Sequence, residues 1–275
     1  MGVFPLTAHP GYNRRQMPVI VRPLKDVRYR NRVAHRNGLR GVRENLSLFT
    51  VDGDRKPQKG KSPAGRATYR PLPSIWSGDD AELLERMLRF YPRRPPRRIV
   101  DVTVNVGRFW RGSRRRVLGM DIESRYSPSL IGDNMTMPFR AEAIDVLVYD
   151  PPHVPNQGRD REKDFTHRFG LGLKSAVENG HNFTHLYAAF AREAQRVLRQ
   201  EGILFCKITD YVHNHRLQWA HADMMRAATD AGLKACDCIV KIRKAPIVDP
   251  KWKTAHHARR QHCYWLVFRK SDKCE

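Results

Sequence analysis

The sequence is poor in acid, has no paired cysteine motif and contains no long apolar run, and each shortage removes a class of protein. Its 28 Asp and Glu face 51 Lys and Arg, a formal charge of +23 over 275 residues, so a polyanion is the natural counterpart. No stretch is apolar over the length a bilayer demands. Five cysteines, an odd number without framework spacing and without a secretory leader ahead of them, argue for a reducing compartment, expected to be the cytoplasm. Met1-Gly2 is followed at position six by Leu6, not the Ser or Thr of a myristoylation signal. Cys236, Cys238, His262 and Cys263 fall on segments expected to be neighbours, but with no Cys-x-x-Cys pair the spacing does not call for zinc. Nor is there a phosphate-binding P-loop or a readable Ser-His-Asp or Cys-His arrangement, which removes the kinase and hydrolase readings.

What is present divides near residue 70. Residues 1–70 hold 16 Lys and Arg against 4 Asp and Glu, with scattered Pro and Gly and no sustained apolar period. Such a segment reads as a basic arm, disordered in isolation. Its Arg28, Arg30, Arg32, Arg36, Arg40 and Arg43 could track a phosphate backbone or form a solvated tail, and both readings stand. A patch of Leu46, Leu48, Phe49 and Val51 suits one docked strand or turn. Across the chain Arg outnumbers Lys by 37 to 14; arginine favours bidentate phosphate contacts, although an arginine-biased genome would leave the same excess.

From Pro71 onward the pattern is that of one sizeable α/β domain, 71–275. Acids in the first turn and apolar residues at helical spacing predict a helix from Asp79 to about Tyr91. Ile99-Val100-Asp101 and Val117 to Ile122 read as strands. The acids Asp101 and Asp121, 20 residues apart, match the interval at which a nucleotide-binding unit sets an acid against ribose hydroxyls. Asp133 follows in Ile131-Gly132-Asp133-Asn134. Later, 186–200 is amphipathic, Glu201-Gly202 a turn and 203–208 a strand. A helix is expected over 216–231, closed by Gly232, then strands at 236–242 and 262–268, the last antiparallel to its predecessor.

The densest signal is Ile144-Asp145-Val146-Leu147-Val148-Tyr149-Asp150-Pro151-Pro152-His153. Six strand-forming residues end at an acid, and proline cannot continue a ladder because it lacks an N–H. Asp150 is thereby placed at the carboxyl end of a strand, where open α/β sheets bind ligands. A plain turn would have the same three letters. The upstream context favours the site, because Asp101, Asp121, Asp133 and Asp150 recur at the ends of successive expected strands.

This run resembles the class I S-adenosylmethionine-dependent methyltransferases, in particular the amino-methyltransferases with an Asp/Asn/Ser-Pro-Pro-aromatic motif, over roughly residues 71–270. The resemblance implies a Rossmann-like, seven-stranded sheet, mostly parallel with an antiparallel last strand and helices on both faces. It also implies S-adenosyl-L-methionine as cofactor. Carried over, Asp101, Asn105 and Gly107 belong to the loop that holds the methionine and ribose, Asp121 meets the ribose hydroxyls and Asp133 the adenine amine. Asn105 stands where the family has glycine, and asparagine tolerates positive φ better than other non-glycine residues.

Asp150, Pro151, Pro152 and His153 are the implied catalytic residues. A nucleobase amine is a weak nucleophile because its lone pair is delocalised, so the work is positioning. The Asp150 carboxylate and the Pro151 carbonyl would accept its two N–H hydrogens, with Pro152 fixing the backbone and His153 in the place of the stacking aromatic. The implied activity is methylation of an exocyclic amino group, in DNA before RNA, on a base presented outside the duplex. The other reading is a non-catalytic nucleic-acid-binding protein with a degenerate methyltransferase fold. Residues 154–185 suit a lid over the substrate, and the basic, aromatic 251–260 suits nucleic-acid contacts or a solvated hairpin loop.

Overall fold

The computed structural model describes residues 71–152, 184–213, 215–243 and 256–271. The basic arm, His153, nearly all of 154–185 and residues 244–255 lie outside the described residues. In chain order the elements are β1 (Ile75–Trp76), α1 (Asp80–Phe90), β2 (Ile99–Asp101), β3 (Val117–Asp121), β4 (Leu130–Ile131) and β5 (Ile144–Tyr149). They continue with α2 (Thr184–Val197), β6 (Leu198–Ile208), β7 (Tyr211–His213), β8 (Arg216–Gln218), α3 (Ala220–Asp230), β9 (Leu233–Ile242) and β10 (His262–Lys270).

Among the described residues eight strands form one sheet in the order β1-β9-β10-β6-β5-β2-β3-β4. Strands β4, β3, β2, β5 and β6 run parallel, and β10 is antiparallel to both β6 and β9. The chain therefore winds outward from β2 in one direction through β3 and β4, then returns to start again at β5. That reversal between β2 and β5 is the switch point at which doubly wound sheets open a crevice. The fold is a Rossmann-like α/β sheet with helices on both faces, as expected.

Period-2 alternation splits the strand residues between two cores. On one face Leu147 and Tyr149 of β5, Val100 of β2 and Leu204 of β6 pack with Phe190 and Ala194 of α2 and Met224 of α3. On the other, Val146 and Val148, Ile99, Ile203, Phe205 and Trp265 pack with Leu83, Leu84 and Met87 of α1. Because both faces of β5 are covered, its sequence reads as a continuous apolar run. Helix α1 is started by Asp79, whose side chain accepts the Ala81 N–H, with Asp80 and Glu82 in the first turn. Among the described residues no helix is long and apolar enough to cross a membrane.

Three expectations are corrected. The sheet has an eighth strand, β1, whose two residues pair parallel with Val240 and Lys241 of β9 and are too few to leave a period in the sequence. The amphipathic stretch 186–200 is not one element: it is helical to Val197 and passes into β6 at Leu198. The expected turn at Glu201-Gly202 is present as a bulge inside β6, where pairing jumps from Ile144 opposite Leu198 to Val146 opposite Ile203 and Glu201 has φ 63°. Finally, 216–218 is strand β8, paired with β7 in a hairpin, and helix α3 begins only at Ala220. Over so short a window as Arg216-Leu217-Gln218-Trp219 the two periods are indistinguishable. Gly232, with φ 90°, closes that helix.

Candidate active site

The first wall of the site is the loop after β2. Asp101 is buried, and its two carboxylate oxygens accept hydrogen bonds from the Thr103 N–H (3.1 Å) and the Trp110 indole N–H (2.7 Å). One acid thus pins the start of the loop to the 3-10 turn Arg108–Trp110 that ends it. Burial pushes the Asp101 carboxyl up to about 7, against the pull of the Trp110 and Thr103 hydrogen bonds in the opposite direction. Between these anchors Asn105 adopts φ 47° and Gly107 φ 67°, so asparagine does occupy a left-handed position where its tolerance is needed. The Asn105 N–H donates to Asp121 Oδ2 at 2.8 Å, and the Asn105 side-chain oxygen accepts the Val106 N–H at 2.7 Å.

Gly119 of β3 is what lets this loop lie down. A Cβ there would stand 2.8 Å from Val104 Cγ2, whereas bare backbone lets Val104 donate its N–H to the Met120 carbonyl at 3.1 Å. The second wall follows from β3. Asp121 ends that strand, and besides Asn105 its carboxylate accepts the Glu123 N–H at 3.0 Å. Burial raises the Asp121 pKa, opposed by these backbone N–H groups. Asp133, two residues past β4, accepts the Met135 N–H at 2.8 Å.

The third wall is the end of β5. Asp150 donates its backbone N–H to Thr103 Oγ1 at 2.7 Å, which ties this strand end to the loop after β2 across the switch point. The Asp150 carboxylate lies 3.8 Å from Lys207 Nζ. Lys207, on β6, is itself held by Asp80 at 3.0 Å and sits over the Phe109 ring, 5.0 Å from its centre. Asp80 also meets Lys241 at 3.5 Å and accepts the Trp265 indole N–H at 3.0 Å. Burial works against the charge on Lys207, but Asp150 and Asp80 outweigh it and raise its pKa. The result is a half-enclosed ionic cluster linking α1, β5, β6 and β9.

Asn105, Asp121, Asp133, Asp150, Pro151 and Pro152 all line one cleft of about 560 Å³ at the carboxyl edge of the sheet. The buried Asp101 and the turn residue Gly107 do not line it. His153 lies outside the described residues. Sequence reasoning missed Asp80, Lys207, Val106 and Ile122, which line the same cleft. Lys207 left a signal, a single charge in the otherwise apolar 203–208, since buried lysine needs a partner. Val106 and Ile122 are 36% and 40% exposed, large apolar side chains turned into a cleft.

No family model matches the chain, and no curated protein matches it. Among solved structures there are partial likenesses. A candidate DNA modification methylase from Thermus thermophilus is 19% identical, with 52% of this chain and 53% of that one covered and a TM-score of 0.36; the chain spans about half the length of that protein. TrmN from Thermus thermophilus is 17% identical, over 69% of this chain and 48% of that one, with a TM-score of 0.42. An S-adenosylmethionine-dependent methyltransferase from Methanosarcina mazei is 12% identical, over 67% and 97%, also with a TM-score of 0.42.

Proposed function

We propose that residues 71–275 form a methyltransferase domain that uses S-adenosyl-L-methionine to methylate an exocyclic amino group of a nucleobase, in DNA before RNA, with 1–70 as a basic arm. The observation that carries this reading is the order of groups around one cleft: the Asn105 turn after β2, Asp121 after β3, Asp133 just past β4 and Asp150 after β5. Adjacent parallel strands thus deliver a tight turn and three carboxylates, in chain order, to one crevice.

The residues present fit that cofactor. Its ribose has two hydroxyl donors and its adenine an amine donor, and Asp121 and Asp133 offer acceptors. The apolar faces of Val106 and Ile122 suit a planar ring. The volume of about 560 Å³ is within the range of small-molecule sites, about 300–1,000 Å³. S-adenosylmethionine in this cleft would supply an electrophilic methyl group on a sulfonium.

The chain's own part is orientation. The Asp150 carboxylate and the Pro151 carbonyl accept the N–H hydrogens of the target amine and favour a pyramidal nitrogen with its lone pair directed at the methyl carbon. Lys207, 3.8 Å from Asp150, favours the ionised carboxylate, which is the form that accepts. As the nitrogen gains its fourth substituent it becomes acidic, and Asp150 is the nearest base in this arrangement to receive the proton. The preference for DNA rests on the resemblance of Asp150-Pro151-Pro152 to the motif of DNA amino-methyltransferases.

Incubation of the protein with methyl-labelled S-adenosylmethionine and DNA or RNA, followed by nucleoside mass spectrometry, tests the reading. Label on an exocyclic amine of a DNA nucleoside is the expected result. Label confined to RNA nucleosides reverses the preference, and label in neither removes the activity.

A further inference from the structure

Past the end of β6 the same sheet edge changes character. Six of the chain's twelve histidines occur in two short segments, His213, His215 and His221 in one and His256, His257 and His262 in the other. The segments touch: the His257 Nε2 contacts the His215 carbonyl at 2.8 Å, and the His215 and His256 rings meet edge to face at 5.8 Å. Residues 211–222 and 256–264 contain no Asp or Glu. The nearest acid before them, Asp210, is buried and committed to His221, whose ring nitrogen Nδ1 lies 2.7 Å from one of its oxygens. The next, Asp223, lies in the first turn of α3.

That buried acid orients a row of rings. His221 is stacked on Tyr264, with ring centres 4.3 Å apart and 26° between planes. The Tyr264 hydroxyl meets His262 Nε2 at 3.0 Å. Trp219, which caps the N-terminus of α3, stands 6.1 Å from His221 at 68° and is 56% exposed. In the same two segments Arg216 and Arg259 are exposed and Arg260 is partly so. An exposed tryptophan on rigid aromatic support, accompanied by arginine and free of exposed carboxylate within its own segments, combines the two elements of a single-strand binding surface: a stacking face and phosphate-neutralising charge. Asp210 follows Lys207, which lines the cleft, by three residues, so the row starts where β6 leaves the cleft.

We propose that this surface is a docking platform for single-stranded nucleic acid, with a base stacked on Trp219 and phosphates met by Arg216, Arg259 and Arg260. It rests on the methyltransferase reading in one respect only, that the docked strand carries the target base into the cleft already unpaired. A duplex hides the faces of its bases and cannot use Trp219 in this way.

The test is fluorescence anisotropy of the full chain with labelled 15-nucleotide single strands, one deoxy and one ribo, and the matching duplex DNA, over a series of salt concentrations. Trp219→Ala should weaken single-strand binding roughly 5- to 150-fold with an unchanged salt slope, and duplex binding much less. Replacing Arg259 and Arg260 together by glutamine should flatten the single-strand salt slope by about 1.4. Whichever of the two single strands binds more tightly identifies the sugar. Wild-type preference for duplex, or a Trp219→Ala variant that binds single strands like wild type, overturns the platform. A wild-type chain that binds in this pattern yet transfers no methyl group would lose the catalytic reading and keep the platform. One that methylates a base while Trp219→Ala binds normally would keep the first and lose the second.

Discussion

The two ends of the carboxyl edge are built on opposite electrostatic plans. Around β2 to β5 the carboxylates of Asp121, Asp133 and Asp150 line one cleft together with Arg108 and Arg111, the first two holding backbone N–H groups and the third close to Lys207. Beyond β6 the polar groups are histidine and arginine together with an exposed indole, and the buried Asp210 is turned inward to His221. In a chain of charge +23 several carboxylates nonetheless meet in one cleft, whereas 211–222 and 256–264 contain none. A charge count alone sees only the second half of this division.

The comparison can be broken most severely at Asp150. Asp150→Ala should retain fold and cofactor affinity while methyl transfer falls by about 10²–10⁴-fold, the usual worth of a positioned acid–base group. Asp150→Asn, which keeps one accepting oxygen, should retain part of the rate. Equal rates in wild type and Asp150→Ala, measured at saturating cofactor on a verified substrate, would remove this carboxylate from the chemistry.

Lys207 sharpens the boundary, being the cation placed among the acids. Lys207→Met removes the cation that Asp80 and Asp150 share, leaving Asp80 with Lys241, and should lower the unfolding free energy by up to about 3 kcal/mol. Lys207→Arg should recover part of that loss. Denaturant titration of the two variants checks it, and an unchanged midpoint for Lys207→Met would mean that solvent screens the cluster.

Asp101 predicts a pH dependence of definite sign. Its folded pKa, about 7, lies above the unfolded value of about 3.9. The folded state then binds the extra proton between those values, and its stability should fall as pH rises from about 4 to about 7, by at most about 4 kcal/mol. Asp101→Asn should be flatter over that window in thermal melts. A smaller effect is expected at Gly119: alanine there meets Val104 and should cost about 1–3 kcal/mol, which Val104→Ala should largely relieve.

The parts of the site legible in the sequence were those that depend on chain order. Asp121 and Asp150 end strands whose apolar runs are readable because both faces are buried, and Asn105 is placed by the resemblance, at the glycine position of the loop. What escaped depends on contact between distant segments. Asp80 meets Lys207 across 127 positions and Trp265 across 185, and Tyr264 of β10 supports His221 of α3; no local period records such pairings. Gly119 escaped because its role lies in a neighbour's side chain. The role expected for Asp101 was direct, and its two hydrogen bonds give it the work of bracing the loop. A helix expected from 216 begins only at Ala220 because a three-residue strand and the first turn of a helix carry the same few apolar positions.

The central claim is that this cleft binds S-adenosylmethionine through Asp121. Isothermal titration of wild type and Asp121→Ala, with circular dichroism to establish that both are folded, tests it most directly. Wild type should bind, and Asp121→Ala should lose about 1.5–3 kcal/mol for each hydrogen bond removed. Absence of binding to wild type, or equal affinity in the variant, would contradict the account.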